Sequence, residues 1–185
     1  MSNWRPDFNP DFLYFVTSSA AKKQYIFKTD VIKRLIVDSL DCLRLGNRMN
    51  LFDFVIMPNH IHLVVQCKEN DPLCNLIRDL KKHTSDRIIR YFKANNDDSM
   101  LEVLTSSVTR PGKQNHKVWD DDYLAKDIFT PEFLRQKMTY IHYNPCQTHW
   151  NLADKPEEYI WSSARFYYTS EPAIIPIDDA RELFM

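Results

Sequence analysis

The sequence predicts an α+β fold, an antiparallel sheet with helices on one face and a further helix toward the C-terminal end. Three observations carry this expectation. Segments rich in β-branched and aromatic residues at 12–18, 49–57 and 60–67 read as strands. Longer segments with apolar residues at helical spacing lie between and after them. The 185 residues, 44% hydrophobic and 13% aromatic, suffice for one core, so residues 1–185 are read as a single domain.

In chain order, Phe12 to Ser18 is the first strand. Asp30 is expected to cap a helix carrying Val31, Ile32, Leu35, Ile36, Leu40 and Leu43, with Gly46 as its left-handed stop. Met49 to Met57 is the second strand, and a tight Pro58-Asn59 turn leads into a third that ends near Cys67. Pro72 opens a second helix with Leu73, Leu76, Ile77, Leu80 and Thr84 on one stripe. The order strand-helix-strand-strand-helix lacks one strand of a ferredoxin-like sheet, and that strand is expected between Met100 and Tyr123. Residues 94–118 read as a polar insertion, broken at Asn95-Asn96-Asp97-Asp98. After that break, Leu101 to Val108 and His116 to Tyr123 are expected to pair as a hairpin around Pro111-Gly112. Thr130 and Pro131 begin a last helix, with Phe133, Leu134, Met138 and Ile141 at helical spacing, ending before Pro145. Residues 170–185 are expected to form a loosely packed tail.

Composition narrows the function. The formal net charge of −1 argues against strong non-specific binding of nucleic acid, which grows with the number of phosphates neutralised. A local surplus does exist. Between Asp71 and Lys93, six basic residues including Arg78 and Lys82 face three aspartates. Cys42, Cys67, Cys74 and Cys146 form no Cys-x-x-Cys pair, which leaves reduced thiols in a cytoplasmic protein as the expectation. No apolar run reaches the length of a membrane span, and Met1 to Pro10 lacks the apolar core of a targeting peptide. Glycine occurs only at 46 and 112, which excludes a glycine-rich phosphate loop.

Two motifs carry candidate chemistry. His60 and His62 are two apart on a strand, so both imidazoles point to one face and can converge on a metal ion. The plainer reading is a pair of polar residues on the wet face of a half-buried strand. Tyr140 and Asn144, four apart on the last helix, share a face and could offer a nucleophile and a third ligand. Taken alone, such a pair is more often structural.

Together the motifs resemble a known family. The Met57-Pro58-Asn59-His60-Ile61-His62 strand, the Tyr140-Ile141-His142-Tyr143-Asn144-Pro145 helix end and the late Tyr159-Ile160-Trp161-Ser162-Ser163 follow the order seen in single-tyrosine transposases of the HUH nuclease superfamily. The branch that the chain resembles, over residues 10–170, is that of the REP-associated tyrosine transposases. The resemblance implies a divalent ion, Mg²⁺ or Mn²⁺, on His60, His62 and Asn144, although imidazole also suits zinc and nickel. It makes Tyr140 the catalytic nucleophile, attacking a DNA phosphate to leave a 5′-phosphotyrosine and a free 3′-hydroxyl. Single-stranded or hairpin DNA of the REP type is the implied partner, and the chain would act as a monomer or as a homodimer with its tyrosine helices exchanged.

Around that core, Lys137 is a candidate activator of Tyr140, and Tyr143 is the rival nucleophile. Arg78, Lys82 and Arg110 are candidate phosphate contacts. Trp119 is a candidate base-stacking residue, with Tyr123, Trp150 and Trp161 as others. His142 and His149 read as packing or surface residues. The chain departs from the family at Cys146-Gln147-Thr148-His149, which lacks the usual small and basic residues, and in its acidic triplet Asp120-Asp121-Asp122. A non-cutting binder of DNA hairpins and an unrelated metal-dependent hydrolase stand as alternatives. An RNA-recognition module is disfavoured, because His60 and His62 hold the positions where its paired aromatics would stand.

Overall fold

A computed structural model describes residues 8–69 and 71–184, so most of the polar N-terminal stretch lies outside the described residues. Its strands are β1 (Leu13–Ser19), β2 (Met49–Ile56), β3 (His60–Cys67) and β4 (Leu124–Ile128). The α-helices are α1 (Asp30–Leu45), α2 (Leu73–Ala94), α3 (Asp98–Ser106), α4 (Pro131–Tyr143) and α5 (Ala164–Thr169). All strand pairs are antiparallel, in the order β2-β3-β1-β4, which is the ferredoxin-like arrangement.

Register assigns the two sheet faces. Thr17 lies opposite His62, and His62 opposite Val55, so these share a face with Phe15, Val64 and Asp53. Tyr14, Val16, Phe54, Ile56, Ile61 and Leu63 point the other way, and all are fully buried. That second face carries α1 and α2, whose stripes of Ile32, Ile36, Leu40 and of Leu76, Ile77, Leu80 are likewise buried. The first face is crossed by α4 alone of the long helices, which leaves room for a site.

Local chemistry explains the boundaries, including those that the sequence misplaced. Thr29, not Asp30, caps α1, its hydroxyl accepting from the Ile32 amide at 3.4 Å. Asp30 is instead the first helical residue and accepts from the Trp161 indole at 2.9 Å. Gly46 has φ −73° and is not the left-handed stop; Asn47, at φ 53°, takes that role. Glycine suits position 46 because a Cβ there would approach the Cys42 carbonyl oxygen to 3.2 Å.

The expected hairpin at 101–123 does not form. Asp97, read as part of a breaker, caps α3 by accepting from the Met100 amide at 3.1 Å, and Leu101 and Leu104 continue a helix. The stretch to Tyr123 is mostly irregular, although Trp119 bridges to Ala20 and the Asp120 amide donates to the Ser19 carbonyl. The missing strand is β4, one residue beyond the expected window. Within the polar insertion, Leu104 and Val118 are core residues. The acidic triplet is held from α2: Lys81 Nζ lies 2.8 Å from the carbonyl oxygens of Asp120 and of Asp122.

The C-terminal segment is also firmer than expected. The Leu51 amide donates to the Asp178 carboxylate at 2.9 Å, and the Asp178 amide donates back to the Leu51 carbonyl at 2.8 Å. Tyr167 donates to the Phe52 carbonyl at 2.6 Å, where β2 shifts register between Leu51 and Asp53. Ile175 and Ala180 bury their side chains, so the tail covers the bulged edge strand.

Candidate active site

The Met57-to-Asn59 turn delivers β3 at His60, with the Met57 amide donating to the His60 carbonyl at 2.8 Å. The rings of His60 and His62 then stand 4.7 Å apart on one face. Each Nδ1 is engaged, that of His60 by the Asn59 side-chain oxygen at 2.6 Å and that of His62 by the Thr17 hydroxyl at 2.8 Å. An amide oxygen only accepts, so His60 carries its proton on Nδ1 and its Nε2 lone pair is free. Asn59 is itself fixed, donating to the Lys23 carbonyl at 3.2 Å.

Burial holds both imidazoles neutral. His60 is lowered to about 4, first by desolvation and then by Lys23 and His149. His62 is lowered to about 3 by desolvation, with His60 and Lys137 adding to it. Neutral imidazole is the form that binds a metal. The His62 Nε2 atom is buried and has no hydrogen-bond partner.

Helix α4 crosses above this pair. Thr130 caps it by accepting from the Phe133 amide at 3.2 Å, and Pro131 takes the first helical position. Tyr140 puts its ring 5.1 Å from His62 and 6.1 Å from Phe15, edge-on to both. It remains 43% exposed. One turn later Asn144 ends the helix at 1% exposure, and its side-chain oxygen is also buried without a partner. Lys137 lies over the ring of Phe15 at 4.9 Å and that of Tyr140 at 6.0 Å, its pKa lowered by burial and then by Lys126. Tyr143 leans away toward Tyr168, 6.4 Å between ring centres.

A second buried polar cluster adjoins the first, and sequence reasoning missed it. His142 Nε2 lies 3.1–3.2 Å from both oxygens of Asp53, whose side chain has no exposure. Ser163 donates to the same carboxylate and accepts from the Phe54 amide at 2.8 Å. Trp161 to Ser163 runs along β2 as an added edge, with the Ile56 amide donating to Trp161 and the Ser163 amide to Phe54. The Trp-Ser-Ser signature therefore ties the C-terminal segment to the tyrosine helix through Asp53. The available signal was a lone carboxylate in the apolar strand Met49–Ile56.

A cavity of about 280 Å³ joins His60, His62, Tyr140 and Asn144 to Gln147 and Trp150. The remaining predicted contacts lie elsewhere. Arg78 and Lys82 sit on α2, behind the sheet, in a groove of about 640 Å³. Arg78 is engaged by Asp79 and Asn75. Arg110 is on the exposed loop after α3, close enough to Asp121 to lower its pKa after Lys117 has done so. Trp119 is a correction. It is 5% exposed, packs 4.5 Å from Phe27 and donates to Thr84 at 2.8 Å, so its ring belongs to the core and not to a base. Tyr123 and Trp161 are buried as well. His83 and His116 bond to Ser39 and Thr105, away from the site. Among the described residues no group of three His, Cys, Asp or Glu could hold a metal, so a metal here would rest on two imidazoles and the Asn144 amide.

The family model described as "Transposase IS200 like" matches residues 13–104, which include both histidines. The chain belongs to the IS200-like transposase family. This transposase shares its fold with a solved REP-associated tyrosine transposase bound to a REP hairpin, at a TM-score of 0.65 and 15% identity, covering 96% of this chain and 93% of that one. A putative transposase from Deinococcus radiodurans aligns at 16% identity over 76% of this chain and 95% of its own, with a TM-score of 0.48. A 70-residue stretch is 39% identical to Kelch repeat and BTB domain-containing protein 2 of Ectromelia virus (strain Moscow). That match covers 38% of this chain and 12% of the viral protein, so it concerns a shared segment. No helix among the described residues of the transposase is long and apolar enough to cross a membrane.

Proposed function

We propose that this chain cuts and rejoins single-stranded, hairpin-forming DNA through a 5′-phosphotyrosine on Tyr140. The supporting observation is a pair of orphaned buried atoms, His62 Nε2 and Asn144 Oδ1, beside a half-exposed tyrosine. Buried polar atoms are almost always paired, and two unpaired Lewis bases at one site fit a missing cation. Mg²⁺ or Mn²⁺ held by His60, His62 and Asn144 would neutralise charge on a non-bridging phosphate oxygen. The REP hairpin carried by the neighbouring structure supports the choice of substrate.

The chain's own groups supply the rest. The Tyr140 oxygen forms a bond to phosphorus as the bond from phosphorus to the 3′-oxygen breaks. The phenol gives up one proton and the leaving 3′-oxygen gains one. The Lys137 ammonium, 6.0 Å from the centre of the Tyr140 ring, would offset the negative charge that develops at the reacting oxygens. The product keeps a phosphodiester, which lets a 3′-hydroxyl attack in return and rejoin the strand.

The test is incubation with end-labelled hairpin DNA from the flanks of the gene, with Mn²⁺ or with chelator, read on a denaturing gel. A covalent adduct that requires the metal and disappears in Tyr140→Phe and in His60→Ala is expected. A gel shift on the same hairpin with no adduct would instead make the chain a non-cutting binder.

A further inference from the structure

We infer that the wall formed by Trp150 and Tyr25 is a stacking site for one unpaired nucleobase next to the phosphate that Tyr140 reaches. This rests on the nuclease reading and specifies how its substrate is held. The Trp150 ring lies 5.8 Å from His60 and 5.8 Å from Tyr25, tilted by 46° and 55°. Trp150 is half-buried and also packs 5.3 Å from His149, so the side of this cluster left to a base is the one where Tyr25 stands. Tyr25 is 58% exposed, a large aromatic side chain left in water beside the reactive pocket.

The backbone is folded to make this wall. After α4 the chain doubles back, with the Trp150 amide donating to Gln147 at 2.8 Å and that of Leu152 to Pro145 at 2.9 Å. Asn151 completes the reversal at φ 46°. Gln147 and Trp150 thereby reach one rim of the cavity that holds His60 and Tyr140. The Gln147 side chain has no hydrogen-bond partner among the described residues, and its amide offers a donor and an acceptor to a base edge. In the turn after β1, Lys22 and Lys23 adopt φ 51° and 54°, an uncommon conformation for side-chain-bearing residues, and Lys23 lines the cavity. A flat aromatic wall, an amide and a lysine match base, base edge and phosphate of one nucleotide. The cavity, at about 280 Å³, is of nucleotide scale, too narrow for a duplex.

The experiment uses the full chain in chelator with the single-stranded octamer dT8 carrying one 2-aminopurine at each position in turn, and the same octamer with an abasic site there. Quenching of the 2-aminopurine at one position is expected, with the abasic octamer binding about 5- to 150-fold more weakly. Trp150→Ala should reproduce that loss and Trp150→Phe should recover most of it. Tyr25→Ala provides the second variant, since its exposed ring contributes less to folding. Unchanged affinity and quenching in Tyr25→Ala and in a folded Trp150→Ala would overturn the inference. The adduct assay is separate. An adduct with no dependence on these rings defeats the stacking site alone, and ring-dependent quenching without any adduct defeats the nuclease reading while the base site stands.

Discussion

Two buried polar clusters lie side by side on one sheet face, and they differ in how far the protein satisfies them. Asp53, His142 and Ser163 close on one another, each with a partner supplied by a different element, and the one oxygen without a hydrogen bond, Asp53 Oδ2, faces His142 at 3.1 Å. His60, His62 and Asn144 are anchored from behind, by Asn59, Thr17 and the α4 backbone, but keep unpartnered atoms at the front. Both clusters are reached by α4, where His142 falls two residues after Tyr140 and two before Asn144. The closed cluster fixes the last turn of the helix; the unsaturated one is what that turn is held against. Leaving a buried polar atom unpaired costs about 1–3 kcal/mol, and the fold accepts this for two atoms of the second cluster against one of the first, an Asp53 oxygen that still has His142 Nε2 at 3.1 Å. A ligand that supplies the missing partner accounts for the difference.

Breaking the closed cluster around Asp53 should have the largest effect. Asp53→Ala removes the carboxylate between a histidine and a serine that are both buried, a loss of about 3–5 kcal/mol. For a chain of this size that is a fall in Tm of about 6–20 °C by calorimetry. A drop under 2 °C would mean that the cluster holds nothing.

The unsaturated cluster should respond to metal instead. Mn²⁺ at 100 times its Kd should stabilise the parent by about 2.7 kcal/mol, a rise in Tm of about 5–10 °C. His62→Ala should abolish that rise, whereas Ser163→Ala, destabilised at the outset, should keep it. An equal rise in His62→Ala would place the metal elsewhere.

The same contrast governs what the sequence revealed. Strand alternation disclosed β1 to β3, and the helix grammar from Thr130 to Pro145 located α4, because both patterns are local. The pairing of His60 with His62 was legible because period-two geometry alone puts them on one face. Asp53 and Ser163, 110 residues apart, meet only through the sheet, and nothing local marks them as a pair. Asp97 was legible as a breaker but not as the start of α3, since the same side chain that disrupts one helix caps the next. Trp119 looked available for stacking because burial of an aromatic residue in an irregular segment leaves no periodic trace. Trp150 belongs to the same class, and its position beside His60 depends on a turn whose hydrogen bonds the sequence does not announce.

A smaller effect separates the two clusters by pH. With chelator present, burial keeps His60 near 4 and His62 near 3, against about 6.5 for histidine in the unfolded chain. Between pH 6.5 and about 4 the unfolded chain therefore binds protons that the folded chain does not. Stability rises with pH across that window and is lost as the pH falls through it. The parent should lose about 2–4 °C of Tm between pH 6.5 and 6 from these two groups, beyond whatever its carboxylates contribute. In a variant with both histidines replaced by glutamine, the carboxylate part remains and the histidine part disappears, so its Tm should fall less over the same interval. Mn²⁺ should lift the parent's Tm almost equally across that interval, because the imidazoles it binds are already neutral in the folded chain, and protons should begin to displace it only as the pH nears 4. Parallel slopes for parent and variant in chelator would show that the imidazoles are not buried in their neutral form, and would remove the basis for a prepared metal site.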